Sequence, residues 1–131
     1  MFEQHNQKMC KAILVGEIFT GKTCIINQFV DSKFIPTKPT IENSLSYKTL
    51  ELEGGETLKL CIWDTSRQEQ FRALNKIYYK DAKIVIMVYD ITNRKSFDAI
   101  KEYWYEEIKN SGDEDASNFL FLFCSYWTRW K

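Results

Sequence analysis

Apolar residues recur along this chain in two periods, and the changes between them lay out its elements. Met9 to Val15 is a short apolar run of strand length. Lys22 to Asp31 sets Ile26, Phe29 and Val30 at helical spacing. Ser44 to Leu52 and Thr57 to Asp64 read as two strands, and in the second Leu58, Leu60 and Ile62 alternate onto one face. Between them, Glu53-Gly54-Gly55-Glu56 offers the glycines that a hairpin turn with positive φ requires. Gln70 to Lys80 is expected to be helical in part, and Ile84 to Tyr89 to be a buried strand. Asn93 or Ser96 is placed to cap a helix running to about Asn110, with Phe97, Ile100, Trp104 and Ile108 on its core face. A polar loop, Gly112-Asp113-Glu114-Asp115, then leads to a last apolar strand, Asn118 to Cys124.

The resulting order is strand, helix, hairpin pair, helix, strand, helix, strand. Such alternation predicts a three-layer α/β domain with a mostly parallel sheet and helices on both faces. No repeat and no Pro/Gly/Ser linker divides the chain, so residues 1–131 are read as one domain. A polar N-terminal tail covers residues 1–8, and residues 124–131 form an atypical tail.

Composition narrows the function classes. With 18 Lys+Arg against 18 Asp+Glu, the chain has no surplus of positive charge for phosphate backbones, and no nucleic-acid partner is expected. No apolar run nears the roughly 20 residues that span a bilayer, and the start, Met1 to Asn6, lacks a signal-peptide pattern. Cys10, Cys24, Cys61 and Cys124 are too scattered for a zinc site or a disulfide framework, which suits a reducing, cytoplasmic setting. Cys124 is not placed for prenylation, so stable membrane attachment is not expected. His5, the only histidine, has no evident role, and a monomer is expected.

The chemistry concentrates in Gly16-Glu17-Ile18-Phe19-Thr20-Gly21-Lys22-Thr23, which matches G-x-x-x-x-G-K-[ST]. The stretch leaves a strand and enters a helix, so backbone N–H groups converge at the positive end of the helix dipole. Lys22 adds a point charge for outer phosphates, and Thr23 offers a hydroxyl to Mg²⁺, which takes a few oxygen ligands besides phosphates. Ile18 and Phe19 crowd the tip; a bulky residue held at positive φ there is expected to distort the loop or weaken phosphate binding. Asp64, at a strand end, is placed to support Mg²⁺ from behind.

Together with the loop, Lys59-Leu60-Cys61-Ile62-Trp63-Asp64-Thr65, Gln68-Glu69, Tyr78-Tyr79-Lys80-Asp81-Ala82, Val88-Tyr89-Asp90-Ile91-Thr92 and Ser96-Phe97 resemble the Rab family of Ras-superfamily small GTPases. The resemblance covers about residues 9 to 123. It implies a switch in intracellular vesicle traffic that binds GTP or GDP with Mg²⁺ and hydrolyses GTP slowly until a GAP adds an arginine. By position it implies that Lys22 and the backbone of Gly16 to Cys24 hold the phosphates. Thr23 is then the direct Mg²⁺ ligand, with Asp64 behind it through water. Thr40 resembles the first-switch threonine that closes on Mg²⁺ and the γ-phosphate. Gln68 resembles the residue that orients the attacking water. Without that register, Thr40 is only a loop threonine after a proline and Gln68 a solvated polar side chain. Exchange factors, GAPs and effectors are the implied partners, and some family members act on endomembranes. Trp63, Tyr78 and Tyr79 are expected to serve packing.

The chain also departs from that pattern. Arg67 stands where the family has a switch glycine, which is expected to impair switching. Glu42 replaces another glycine, and Ser44-Leu45 an aromatic, which alters the usual effector contacts. Ser125-Tyr126-Trp127-Thr128 stands where the guanine-reading N-K-x-D is expected, with weaker base discrimination as the consequence. The family's last helix, strand and helix are not in these residues, so a marginally stable domain is expected. A truncated or out-of-register product is favoured over a genuine alternative ending. The alternative function is a pseudo-GTPase or interaction fragment with weak or no nucleotide binding.

Overall fold

In the computed structural model, which describes residues 7–32, 44–65, 79–111 and 119–125, the two periodicities resolve into one five-stranded sheet with helices on both faces. In chain order the elements are β1 (Lys8–Val15), α1 (Lys22–Asp31), β2 (Ser44–Glu51), β3 (Thr57–Asp64) and β4 (Ile84–Asp90). A helix then runs from Arg94 to Ser111 in three parts: α2 (Arg94–Ala99), one π-helical turn (Ile100–Trp104) and α3 (Tyr105–Ser111). Strand β5 (Phe119–Ser125) follows.

The strand order is β2-β3-β1-β4-β5. β1 pairs in parallel with β3, from Lys8 opposite Leu58 to Leu14 opposite Asp64, and with β4 on its other side. β4 and β5 are also parallel, with Asp90 opposite Ser125. Among the described strands only the β2–β3 hairpin is antiparallel. Its turn closes through the Leu52 N–H to the Glu56 carbonyl at 2.8 Å, with Gly54 and Gly55 at φ 87° and 79°. These are the positive values expected of that glycine pair.

The alternation along β1 divides the core. Ala12 and Leu14 face one side, with Ile26 of α1 and Leu60 and Ile62 of β3. Ile13 and Val15 face the other, with Val85, Met87, Ile100, Trp104 and Ile108. Both faces are apolar, as a parallel strand covered on each side requires. Trp104 is 1% exposed, and removing its ring would cost about 3–5 kcal/mol.

Two residues assigned to core faces lie at rims instead. Phe29 is exposed because it sits on the flank of α1 nearest the edge strand β2. There the Lys48 ammonium lies 4.8 Å from its ring centre and donates to its carbonyl at 2.5 Å. Phe97 is half-buried near the end of β4, edge-on to Tyr89 at 5.0 Å and beneath the Arg94 guanidinium. Trp63 and Tyr79 do pack against the core, and Lys11 lies over the Trp63 ring. Tyr78 lies outside the described residues. So does the helix expected over Gln70 to Lys80, apart from its last two residues, and so does the Gly112–Asp115 loop.

Of the two cap alternatives the structure has Asn93 at the N-cap position, without a side-chain cap hydrogen bond. Asn93 precedes α2 but contributes its carbonyl, which accepts from the Ser96 N–H and hydroxyl. Ser96 is buried, and its Oγ also accepts the Asp90 N–H at 2.9 Å, fastening the helix to the end of β4. Burial lowers the Lys11 pKa, against a smaller opposing effect of Asp81. Burial, then Cys61, raises that of Cys10, against Lys83. Cys10, Cys24 and Cys61 are all free thiols. No described helix is long and apolar enough to cross a membrane.

Candidate functional site

β1 lies between β3 and β4, which the chain reaches on opposite sides. Its carboxyl end is therefore a switch point, the place where open α/β sheets bind ligands. Gly16 to Gly21 leaves β1 there and enters α1. Gly16, at φ 144°, is needed for space: a Cβ would lie 2.1 Å from the Val88 carbonyl oxygen. Gly21, at φ 92°, turns the loop into the helix and accepts the Ile25 N–H at 3.0 Å. The first turn of α1 carries no acidic residue of its own.

Inside the loop the Lys22 ammonium donates to the carbonyls of Gly16 at 2.9 Å and Glu17 at 2.7 Å. The Thr20 hydroxyl donates to the same Glu17 carbonyl at 2.8 Å. Thr20, Lys22 and Asp64 are each almost fully buried. The Thr23 hydroxyl, at the start of α1, donates to Asp64 Oδ2 at 2.5 Å. Thr65 donates to the Leu14 carbonyl at 2.5 Å and ties the end of β3 to β1 beside the loop. Cys24 is buried one residue further along α1.

The loop tip carries strain. Ile18 and Phe19 are 41% and 70% exposed, and Phe19 takes φ 62°, a conformation that costs a side-chain-bearing residue roughly 1 kcal/mol or more. Phe19→Gly is therefore expected to stabilise the fold by about 0.5–1 kcal/mol. A rise in the melting temperature checks this; an unchanged or lower one would show that the Phe19 ring makes contacts worth more than the strain.

Thr40 and Gln68 lie outside the described residues, as do Glu42 and Arg67. Ser125 ends β5 opposite Asp90, and residues 126–131 lie outside. Gly16 to Cys24 and Asp64 are thus brought together at the carboxyl ends of β1 and β3, in the middle of the sheet. Local pattern missed three contacts there: Thr65 to Leu14, Ser96 to Asp90, and the Trp104 indole N–H to Glu17 Oε1 at 3.1 Å. The last joins residues 87 positions apart, beyond any periodic signal.

A glycine-shaped loop wrapped on its own lysine, entering a helix whose first hydroxyl meets a strand-end carboxylate, defines the P-loop class of α/β domains. The sequence model of the Ras family matches residues 11–123. Over 111 residues, 84% of this chain, it is 37% identical to the Ras-related protein SEC4 of Candida albicans and 40% identical to the Ras-related protein Rab-8B of Bos taurus. The chain belongs to the Ras family, in its Rab-type branch. It spans about half the length of these curated relatives, 52% and 53% respectively.

The donor set suits Mg²⁺. A threonine hydroxyl and a carboxylate are hard oxygen donors, and Mg²⁺ is usually held by one or two such protein groups, phosphates and water. Among the described residues no three His, Cys, Asp or Glu gather into an all-protein metal cage, and this mode of binding needs none.

Proposed function

We propose that this chain is a Rab-type guanine-nucleotide switch, which binds GTP and GDP with Mg²⁺, hydrolyses GTP slowly and acts in intracellular vesicle traffic. The observation that carries the proposal is the hydrogen bond from the half-buried Thr23 hydroxyl to the buried Asp64 carboxylate, beside the buried Lys22. A cation and two oxygen donors side by side are the groups that a phosphate chain and its metal require, which supports this reading.

In this reading residues 1–131 act as one domain. The backbone of Gly16 to Cys24 cradles the phosphates, and the Lys22 ammonium turns from its loop carbonyls to the β- and γ-oxygens. Thr23 and Asp64 would hold the metal, Thr23 through its hydroxyl and Asp64 through water. Thr40 closes the first switch, and Gln68 orients the attacking water. Mg²⁺, when bound, neutralises charge on the phosphate oxygens. The protein's share of the chemistry is positioning and charge, with little covalent work. An exchange factor, a GAP and effectors are the proposed partners, as for other Rab-type switches, and endomembranes are the proposed place of action.

Single-turnover phosphate release from GTP tests the reaction. Release slower than about 0.01 per second, dependent on Mg²⁺ and reduced by Gln68→Leu, is expected. Release from ATP at the same rate would contradict a guanine switch.

A further inference from the structure

The Trp104–Glu17 hydrogen bond has a place in the loop that core packing does not explain. Glu17 is the residue on which the phosphate loop is folded: its carbonyl accepts both the Lys22 ammonium and the Thr20 hydroxyl. Its carboxylate accepts the Trp104 indole N–H at 3.1 Å. The backbone that holds the loop lysine and the side chain held by the helix thus belong to one residue.

The contact lies at an irregular point of the helix. Trp104 ends the π-helical turn Ile100–Trp104. A π turn is rare, because it widens the helix, and it re-aims the side chains around it. Trp104 sits among the residues that cover Val15, the last residue of β1 before the loop, and Tyr103 packs edge-on against its ring at 5.0 Å. The indole is fixed by packing, so its N–H is a fixed donor.

We propose that Trp104 is a positioning residue for the phosphate loop. Its indole N–H holds the Glu17 carboxylate toward the helix, and through Glu17 it sets the carbonyl on which Lys22 and Thr20 rest. Two consequences follow for the site. A carboxylate inside an anion-binding loop is held toward the helix by a neutral donor, and movement of the helix at Trp104 is passed to the loop through Glu17. The inference rests on the nucleotide-binding reading for its effect on nucleotide, but its effect on loop geometry is independent of that reading.

The test compares Trp104→Phe, Glu17→Ala, Glu17→Gln and the Trp104→Phe/Glu17→Ala double variant in the full chain. Phenylalanine keeps an aromatic ring in the core and removes the N–H; glutamine keeps an oxygen acceptor. The first readout is the set of backbone amide resonances of residues 16–23 without nucleotide. Trp104→Phe and Glu17→Ala are expected to move the same resonances the same way, the double variant to match the singles, and Glu17→Gln to move them less than Glu17→Ala. The second readout is the GDP dissociation rate with Mg²⁺, expected to rise about tenfold in Trp104→Phe and in Glu17→Ala, less in Glu17→Gln, and no further in the double variant, the non-additivity of residues acting through one contact. Loop resonances unmoved by Trp104→Phe, or additive effects in the double variant, would overturn the inference and leave Trp104 as packing alone. If no protein binds GDP at tens of micromolar yet the loop resonances move together, the nucleotide reading fails and the positioning role stands.

Discussion

Gly16→Ala is expected to lower stability by about 3 kcal/mol or more, through a steric conflict combined with an unfavourable backbone conformation. The added Cβ would lie 2.1 Å from the Val88 carbonyl oxygen and 3.1 Å from the carbonyl carbon. Neither atom can yield, because Val88 lies within β4, which is paired with β1 and β5 on its two sides. The residue also sits at φ 144°. For a domain of this size the melting temperature should fall by about 10 °C or more. Gly55→Ala is the control. Its φ is 79°, but nothing lies within 4 Å of the added Cβ, so it should cost only about 1–2 kcal/mol of backbone strain. Equal losses at the two positions would show that the close approach of the phosphate loop to β4 is not what requires glycine.

Lys22→Ala should abolish measurable nucleotide binding, weakening it on the order of a thousandfold, the scale of losing one partner of a buried charge pair. In the structure the ammonium is almost fully buried and rests on the Gly16 and Glu17 carbonyls. It is therefore already at the loop, and its charge is little screened by water. The same variant removes one donor from those two carbonyls, worth only about 1 kcal/mol each in stability. Affinity should thus fall far more than the melting temperature measured without nucleotide. Lys22→Met, which keeps most of the apolar stem, separates the two effects further. Nucleotide bound as tightly by either variant as by the parent would place the phosphates elsewhere.

The parts of this fold legible in the sequence are those whose cause is local. β1, the phosphate loop and α1 follow one another within 24 residues, from Lys8 to Asp31, and each is set by its own composition: an apolar run, a glycine-framed turn, a helical stripe. The hairpin was legible because Gly54 and Gly55 mark the turn and Leu58, Leu60 and Ile62 the buried face. Lys22, Thr23 and Asp64 were singled out from the sequence, and the fold sets Thr23 and Asp64 within hydrogen-bond reach.

What was not legible depends on where an element ends up. Phe29 and Phe97 fall on apolar stripes, yet both lie at rims, because a helical period says which face turns inward and not how far the sheet extends beneath it. The π turn leaves no mark in the spacing of Phe97, Ile100, Trp104 and Ile108, which a regular helix satisfies equally well. Ser96 looked like a cap and instead bonds to the end of β4. Trp104 was legible as core by its spacing, whereas its hydrogen bond to Glu17 required the sheet to bring the helix beside the loop. The expectation of a crowded loop tip was met in the backbone itself, by Phe19 at φ 62°.

Titration with fluorescent GDP in the presence of Mg²⁺, with GTP and ATP as competitors, decides most directly whether the Gly16–Thr23 loop and Asp64 hold a guanine nucleotide. Saturable binding that GTP displaces, that ATP does not, and that Lys22→Ala removes is the expected result. Failure to bind at tens of micromolar, or displacement by ATP as effective as by GTP, would contradict it.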